Sequence, residues 1–151
     1  MKTTILETLV LPALKSVHIR HYPFRKETII VFEYTTSQHT IYWKVIDYPK
    51  QQLLAIESSC LATVPSGASS VLERLNEINE LCVGKFMLVD QNRIEYCLEL
   101  PYTAETPQAV VQHALNLAFD TVETQYEGWQ KAVKESQLDK DMFDRIKAAF
   151  G

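Results

Sequence analysis

Residues 71–102 place the strongest constraint on what this 151-residue chain can fold into. Apolar residues recur in the first half of this stretch at steps of three and four, which puts them on one face of a helix. They are Val71, Leu75, Ile78 and Cys82. Gly84 follows, where a left-handed C-terminal cap is expected. The second half alternates apolar and polar residues on both sides of Asp90-Gln91-Asn92, and Pro101 ends the alternation. The stretch therefore predicts an amphipathic helix followed by a β-hairpin.

Two asparagines, Asn76 and Asn79, border the apolar face of this helix. Amides at such a border usually bond to backbone or water. We therefore interpret them as structural residues, and the alternative is a polar binding patch.

The rest of the chain predicts a sheet and further helices. Apolar spacing over residues 3–17 predicts a helix that Pro12 kinks or divides, and a short strand up to Leu11 is the alternative. Three strands are predicted next, over residues 28–35, 40–47 and 52–61. Thr106-Pro107 is a strong helix start, and a second helix start is predicted at Ser136. The expected order is α-βββ-α-ββ-α-α, an α+β fold with helices packed against an antiparallel β-sheet.

The length predicts one α+β domain over residues 1–135 and a C-terminal helical tail over residues 136–151. The tail carries an apolar stripe at four-residue spacing. Its members are Leu138, Met142, Ile146 and Phe150. A helix this short is marginal alone in water. We therefore expect the tail to dock, on its own domain or on a second copy, and to shield a surface otherwise available to partners.

Charge and cysteine content argue against several classes of protein. The net charge of −4 and the pI of about 5.6 argue against nucleic-acid binding, which needs a cationic surface. No apolar run approaches the length that spans a membrane, and the N-terminus lacks the pattern of a signal peptide. The three cysteines, Cys60, Cys82 and Cys97, lie far apart and predict free thiols in a reducing compartment. The expected location is the cytoplasm.

Aromatic residues crowd the predicted hairpin of residues 28–47 and its exit. They are Tyr34, Tyr42, Trp43 and Tyr48. Core packing uses one face of a strand, so aromatics on both faces indicate a partner or dimer surface. The alternative is that the long C-terminal helix covers them.

Residues 15–26 form a basic segment without any acidic residue. Its cations are Lys15, Arg20, Arg25 and Lys26, and it also contains His18 and His21. Such a segment is a candidate patch for an anion or an acidic partner. The alternative is an ordinary solvated loop.

No residue pattern indicates catalysis, a cofactor or a metal. His18 and His21 are three apart, but no CxxC or HExxH motif or acidic partner accompanies them. The cysteines lie on apolar faces, which favours core packing over a nucleophile. No catalytic residue, metal or cofactor is therefore predicted.

The sequence resembles the YbjN family, whose fold is similar to that of type III secretion chaperones, over residues 28–132. Four short segments carry the resemblance. They are Val64-Pro65, Leu75-Asn76-Glu77-Ile78-Asn79, Gly84-Lys85-Phe86, and Arg93-Ile94-Glu95-Tyr96 before Leu100-Pro101. The resemblance implies a cytosolic, non-enzymatic and often dimeric protein that binds other polypeptides.

The expected function is therefore a non-catalytic, protein-binding or chaperone-like module. We expect a homodimer whose partner is another protein, with no binding to nucleic acid or membrane. The competing hypothesis is a small-ligand-binding or regulatory domain that uses a cleft between sheet and helices. Exposed edge strands and an apolar groove favour the first function, and a closed pocket with convergent polar groups favours the second.

Overall fold

Six antiparallel strands form one sheet in the computed structural model, which describes residues 4–36, 38–64, 69–90 and 92–150. The strands are β1 (Phe24–Arg25), β2 (Ile29–Thr35), β3 (Thr40–Tyr48), β4 (Leu53–Thr63), β5 (Lys85–Val89) and β6 (Arg93–Pro101). Their spatial order is β1-β2-β3-β4-β6-β5. The helices are α1 (Leu11–Ser16), α2 (Ser69–Asn79) and α3 (Gln108–Phe150), and a π-helical turn (Leu6–Val10) precedes α1. The predicted α+β fold with an antiparallel sheet is confirmed.

Pro12 marks the passage from the π-helical turn to α1. It lies in the first turn of α1, where a missing N–H costs little. The helical prediction for this segment is therefore right, and the alternative of a short strand is wrong.

The helix α2 ends at Asn79, one turn earlier than the apolar spacing predicts. The Asn79 side chain leaves the helix to bind the backbone of Phe86 in β5. Gly84 does adopt the predicted positive φ, at 76°. A Cβ there would collide with the Tyr96 hydroxyl and the Cys97 carbonyl, so only glycine fits this approach to β6.

A single helix, α3, replaces the two C-terminal helices that the sequence predicts. The helix start predicted at Ser136 is wrong, because residues 129–150 contain neither proline nor glycine to end the first helix. The 43 residues of α3 span about 65 Å. Three apolar side chains near its end, Met142, Ile146 and Phe150, are exposed. They do not dock on their own domain, and docking on a second copy stays a prediction.

The helices pack on one face of the sheet, where aromatic side chains fill the core. Trp43 of β3 meets Phe119 of α3 with ring centroids 5.0 Å apart. Phe86 of β5 meets Trp129 of α3 at 5.4 Å. The other face of β3 alternates with this one and carries side chains that are exposed or half-buried. They are Tyr42, Lys44, Ile46 and Tyr48. We call this the open face of the sheet.

Candidate protein-binding site

The outer edge of β2 is only partly paired. β1 covers Ile30 and Val31, and β2 continues to Thr35 without a further strand partner among the described residues. In an antiparallel ladder, the backbone groups of successive residues point alternately to the two neighbours. The Ile29 carbonyl accepts from Lys26 on the β1 side, at 2.8 Å. By this alternation, the N–H and C=O groups of Glu33 and Thr35 point outward at the free edge.

Pro23 explains why β1 is short and why the sequence did not reveal it. Two residues are too few for a visible alternation, and a proline directly before them has no N–H to extend the ladder. The chain bends at Pro23, and the residues before it do not pair with β2. An open cleft of about 450 Å³ results, with residues 17–21 as one wall and residues 33–35 as the other.

Packing to the core fixes both walls of this cleft. Ile19 is buried in the core, and the Tyr22 hydroxyl donates to the Ile19 carbonyl at 2.9 Å. Burial raises the pKa of Tyr22, and the charges of Arg25 and Arg20 oppose that rise, so both guanidinium groups lie near this phenol. On the other wall, the Tyr34 ring stacks on Phe119 at 4.4 Å. The cleft is therefore preformed.

At the opposite edge of the sheet, one side chain occupies the backbone groups of Phe86 in β5. Asn79 Nδ2 donates to the Phe86 carbonyl, and Asn79 Oδ1 accepts from the Phe86 N–H, each at 2.9 Å. One amide thus takes both backbone groups that a further strand would need at this residue. The structural interpretation of Asn79 is confirmed, and Asn76 is exposed.

The predicted aromatic surface is divided by the fold. Trp43 is 2% exposed, because α3 covers it, and it cannot belong to an exposed surface. Tyr34 is half-buried and lines the cleft. Tyr42 and Tyr48 remain on the open face, 57% and 42% exposed. The alternative of cover by the C-terminal helix therefore holds for Trp43 and Tyr34.

The predicted basic patch is also divided. Arg20 lines the cleft beside β2. Arg25 lies 3.6 Å from Glu7, and the Lys26 ammonium lies 5.4 Å from the Phe24 ring centroid. Lys15 is exposed on α1. Only Arg20 of the four thus joins the site beside the free edge.

Comparison with known proteins places this fold in a family. The family profile "YbjN: Putative bacterial sensory transduction regulator" matches residues 8–131. The chain belongs to the YbjN family. This match includes β2 and both walls of the cleft and leaves out the last turns of α3. A search of curated proteins finds no significant match.

A solved structure shares the fold of this YbjN-family chain. A chain of the "Structure of the HopA1-SchA Chaperone-Effector Complex" aligns with a TM-score of 0.54 and 8% identity. The alignment covers 84% of the YbjN-family chain and 94% of the other. This similarity confirms the predicted chaperone-like fold.

Burial, and next the Glu57 and Glu99 carboxylates, raise the pKa of the Cys97 thiol to about 12, so it is a poor nucleophile. In the described part of the chain, no three side chains of His, Cys, Asp or Glu are grouped to hold a metal ion. Nor does any helix there have the length and apolar character to cross a membrane. Some of the sequence-based predictions fall on residues that the structure does not describe. They are Pro65, Gln91 and the side chain of Cys60.

Proposed function

We propose that this YbjN-family protein binds other polypeptides, without catalysis, by adding an extended segment of its partner to the free edge of β2. One observation carries the proposal: Glu33 and Thr35 turn their backbone groups outward beside an open, preformed cleft. Backbone hydrogen bonds at such an edge supply affinity, and neighbouring side chains supply specificity.

The size of the free edge sets the length of the added strand. β1 already lies opposite Ile30 and Val31, so the edge from Phe32 to Thr35 remains. At about 3.3 Å per residue, a partner strand of about four residues fits there. A strand this short favours reversible binding, as regulation requires.

Three further findings support a protein-binding role. The solved structure with this fold is a chaperone–effector complex by its title, and the family carries the description of a regulator. Between the sheet and the helices, where the competing hypothesis needs a ligand cleft, buried aromatic rings from both layers are in contact. They are Trp43, Phe86, Phe119 and Trp129.

Amide exchange tests the proposal directly. Extended peptides selected on the immobilised full-length protein should slow hydrogen exchange at the Glu33 and Thr35 amides, and not at Leu88 on the other edge. Glu33→Pro removes the outward N–H and should abolish peptide binding, whereas the matched control Glu33→Gln keeps it. Peptides that bind both variants equally, without protection at residues 33 and 35, would contradict strand addition.

The proposed compartment is the cytoplasm, and the proposed assembly is a homodimer. Cys82 and Cys97 are free thiols, which suits a reducing compartment. Tyr42 and Tyr48 remain exposed on the open face, which suits contact with a second copy.

A further inference from the structure

Arg20 is a cation without a counter-ion at the wall of the cleft. It is exposed, and no carboxylate lies within 4 Å of it among the residues that the structure describes. Its neighbour Arg25 differs, because it pairs with Glu7 at 3.6 Å. An exposed guanidinium with several free N–H donors is suited to a carboxylate.

The side chains around Arg20 leave its charge uncompensated. His18 and His21 share its wall and can donate hydrogen bonds. Glu33 is the acidic residue of the other wall. It follows buried Phe32 along β2, so alternation puts its carboxylate on the open face of the sheet, away from the helices. Residues 17–21 directly follow α1, which packs against α3 on the helix side of the sheet. The wall on the helix side therefore carries the cation, and the open side carries the anion.

The net charge of the rest of the chain has the opposite sign to that of residues 15–26. Residues 15–26 carry four cations and no anion, and subtracting this +4 from the net −4 leaves −8 for the rest. Exposed charges act over about 8 Å at physiological ionic strength. An acidic partner is thus repelled by most of the surface and attracted at residues 15–26.

From this arrangement we propose that the segment added to β2 is acidic, with Asp or Glu side chains at alternate positions that bind Arg20. The inference rests on the proposed strand addition and names the chemistry of the partner. Successive side chains of a strand point to opposite faces of the sheet. The acidic side chains therefore face the helix side, and the residues between them, which lie beside Glu33, are not acidic.

The test uses two short labelled peptides, one of alternating Glu and Thr and one of alternating Gln and Thr. The Glu peptide should bind the full-length protein about three- to tenfold more tightly, because a charged contact replaces a neutral one. High ionic strength should reduce this difference. Arg20→Gln should abolish it, Arg20→Lys should keep part of it, and the matched control Lys50→Gln, at an exposed lysine outside residues 15–26, should leave it unchanged. Thermal melting of each variant verifies that it is folded.

The outcomes separate this inference from the proposed function. Equal binding of both peptides, with slowed exchange at Glu33 and Thr35, would overturn the acidic partner and leave strand addition intact. No protection at these amides by either peptide would overturn both. Preference for the Glu peptide that depends on Arg20 but gives no amide protection would show a simple anion site and overturn the inference.

Discussion

Asn79 occupies the β5 edge at Phe86 with a single side chain, because its amide offers one donor and one acceptor to this residue, as a neighbouring strand would. Asn79→Ala leaves both backbone groups of Phe86 without these partners. We expect the free energy of unfolding in urea to fall by about 1–3 kcal/mol. Asn76→Ala, on the exposed surface of the same helix, should change it by less than about 0.5 kcal/mol. Equal effects of the two variants would contradict this role of Asn79.

Gly128 permits a close contact between α2 and α3. The Arg74 guanidinium lies 5.2 Å from the Trp129 ring, and its Nη2 donates to Gln125 at 3.1 Å. A Cβ at residue 128 would collide with that guanidinium. A glycine that costs helix stability is therefore kept next to a cation–π contact.

A double-mutant cycle measures the coupling between Gly128 and Arg74. Gly128→Ala should stabilise an Arg74→Ala protein by about 1 kcal/mol, the difference in helix propensity. In the presence of Arg74, the same change displaces the guanidinium, and the gain should be smaller or reversed. Urea unfolding of the four proteins gives the coupling energy. Additive effects would show that the Arg74 guanidinium does not lie over Gly128.

The raised pKa of Cys97 predicts how stability and the reactivity of this thiol depend on pH. Its pKa is raised from 9.0 to about 12, first by burial and then by Glu57 and Glu99, so folding favours the thiol. The stabilisation is complete below pH 9 and is lost as pH rises toward 12. At pH 9 the native thiolate should be several hundred-fold scarcer than in the unfolded chain. Iodoacetamide should therefore alkylate Cys97 far more slowly before unfolding in urea than after, and equal rates would contradict the raised pKa.

At the scale of elements, α3 is buried along one face in its first turns and exposed near its C-terminal end. Val111, Leu115 and Val122 are buried against the sheet layer, whereas Met142, Ile146 and Phe150 are exposed. Near the end of α3, the apolar side chains that the structure describes thus form a stripe without a partner, and the side chain of Leu138 lies outside the described residues. The sequence-based expectation that this segment shields a surface of its own domain does not fit this exposure.

Deleting residues 136–151 tests whether this segment covers a surface of its own domain. Since residues 141, 142 and 144–150 are exposed, the urea unfolding free energy should change by less than about 1 kcal/mol. Binding of a hydrophobic dye should fall, because exposed apolar side chains are removed. Met142→Glu with Ile146→Glu in the full chain should lower dye binding in the same way. A rise in dye binding after deletion would show that the segment does cover a surface.

At the scale of the whole molecule, the open face is the surface on which a second copy is proposed to pack. We expect light scattering to show a homodimer at micromolar concentration. Tyr42→Glu with Tyr48→Glu should weaken it, because both exposed rings would be replaced by charges on that face. Leu72→Glu, an exposed apolar residue on α2, is the matched control and should not. A monomer of 17.3 kDa at every concentration would contradict the proposed dimer.

Elements that repeat a local pattern could be predicted from the amino-acid sequence. Alternation located β2, β3, β4 and the β5–β6 hairpin within a few residues, and three-four spacing put Val71, Leu75 and Ile78 inward. These predictions succeed because the period of the apolar residues follows from backbone geometry alone. The α+β fold and the family followed from the order of those elements.

Which surfaces stay exposed depends on how the elements pack, and local patterns did not predict it. Alternation separates Trp43 from Tyr42, but it is the path of α3 that buries the first and leaves the second exposed. The basic residues of one segment also lie in different environments. Arg25 pairs with Glu7, whereas Arg20 lines the cleft beside the free edge of β2. Burial and pairing depend on contacts between residues far apart in the chain, and the local period of the apolar residues does not indicate those contacts.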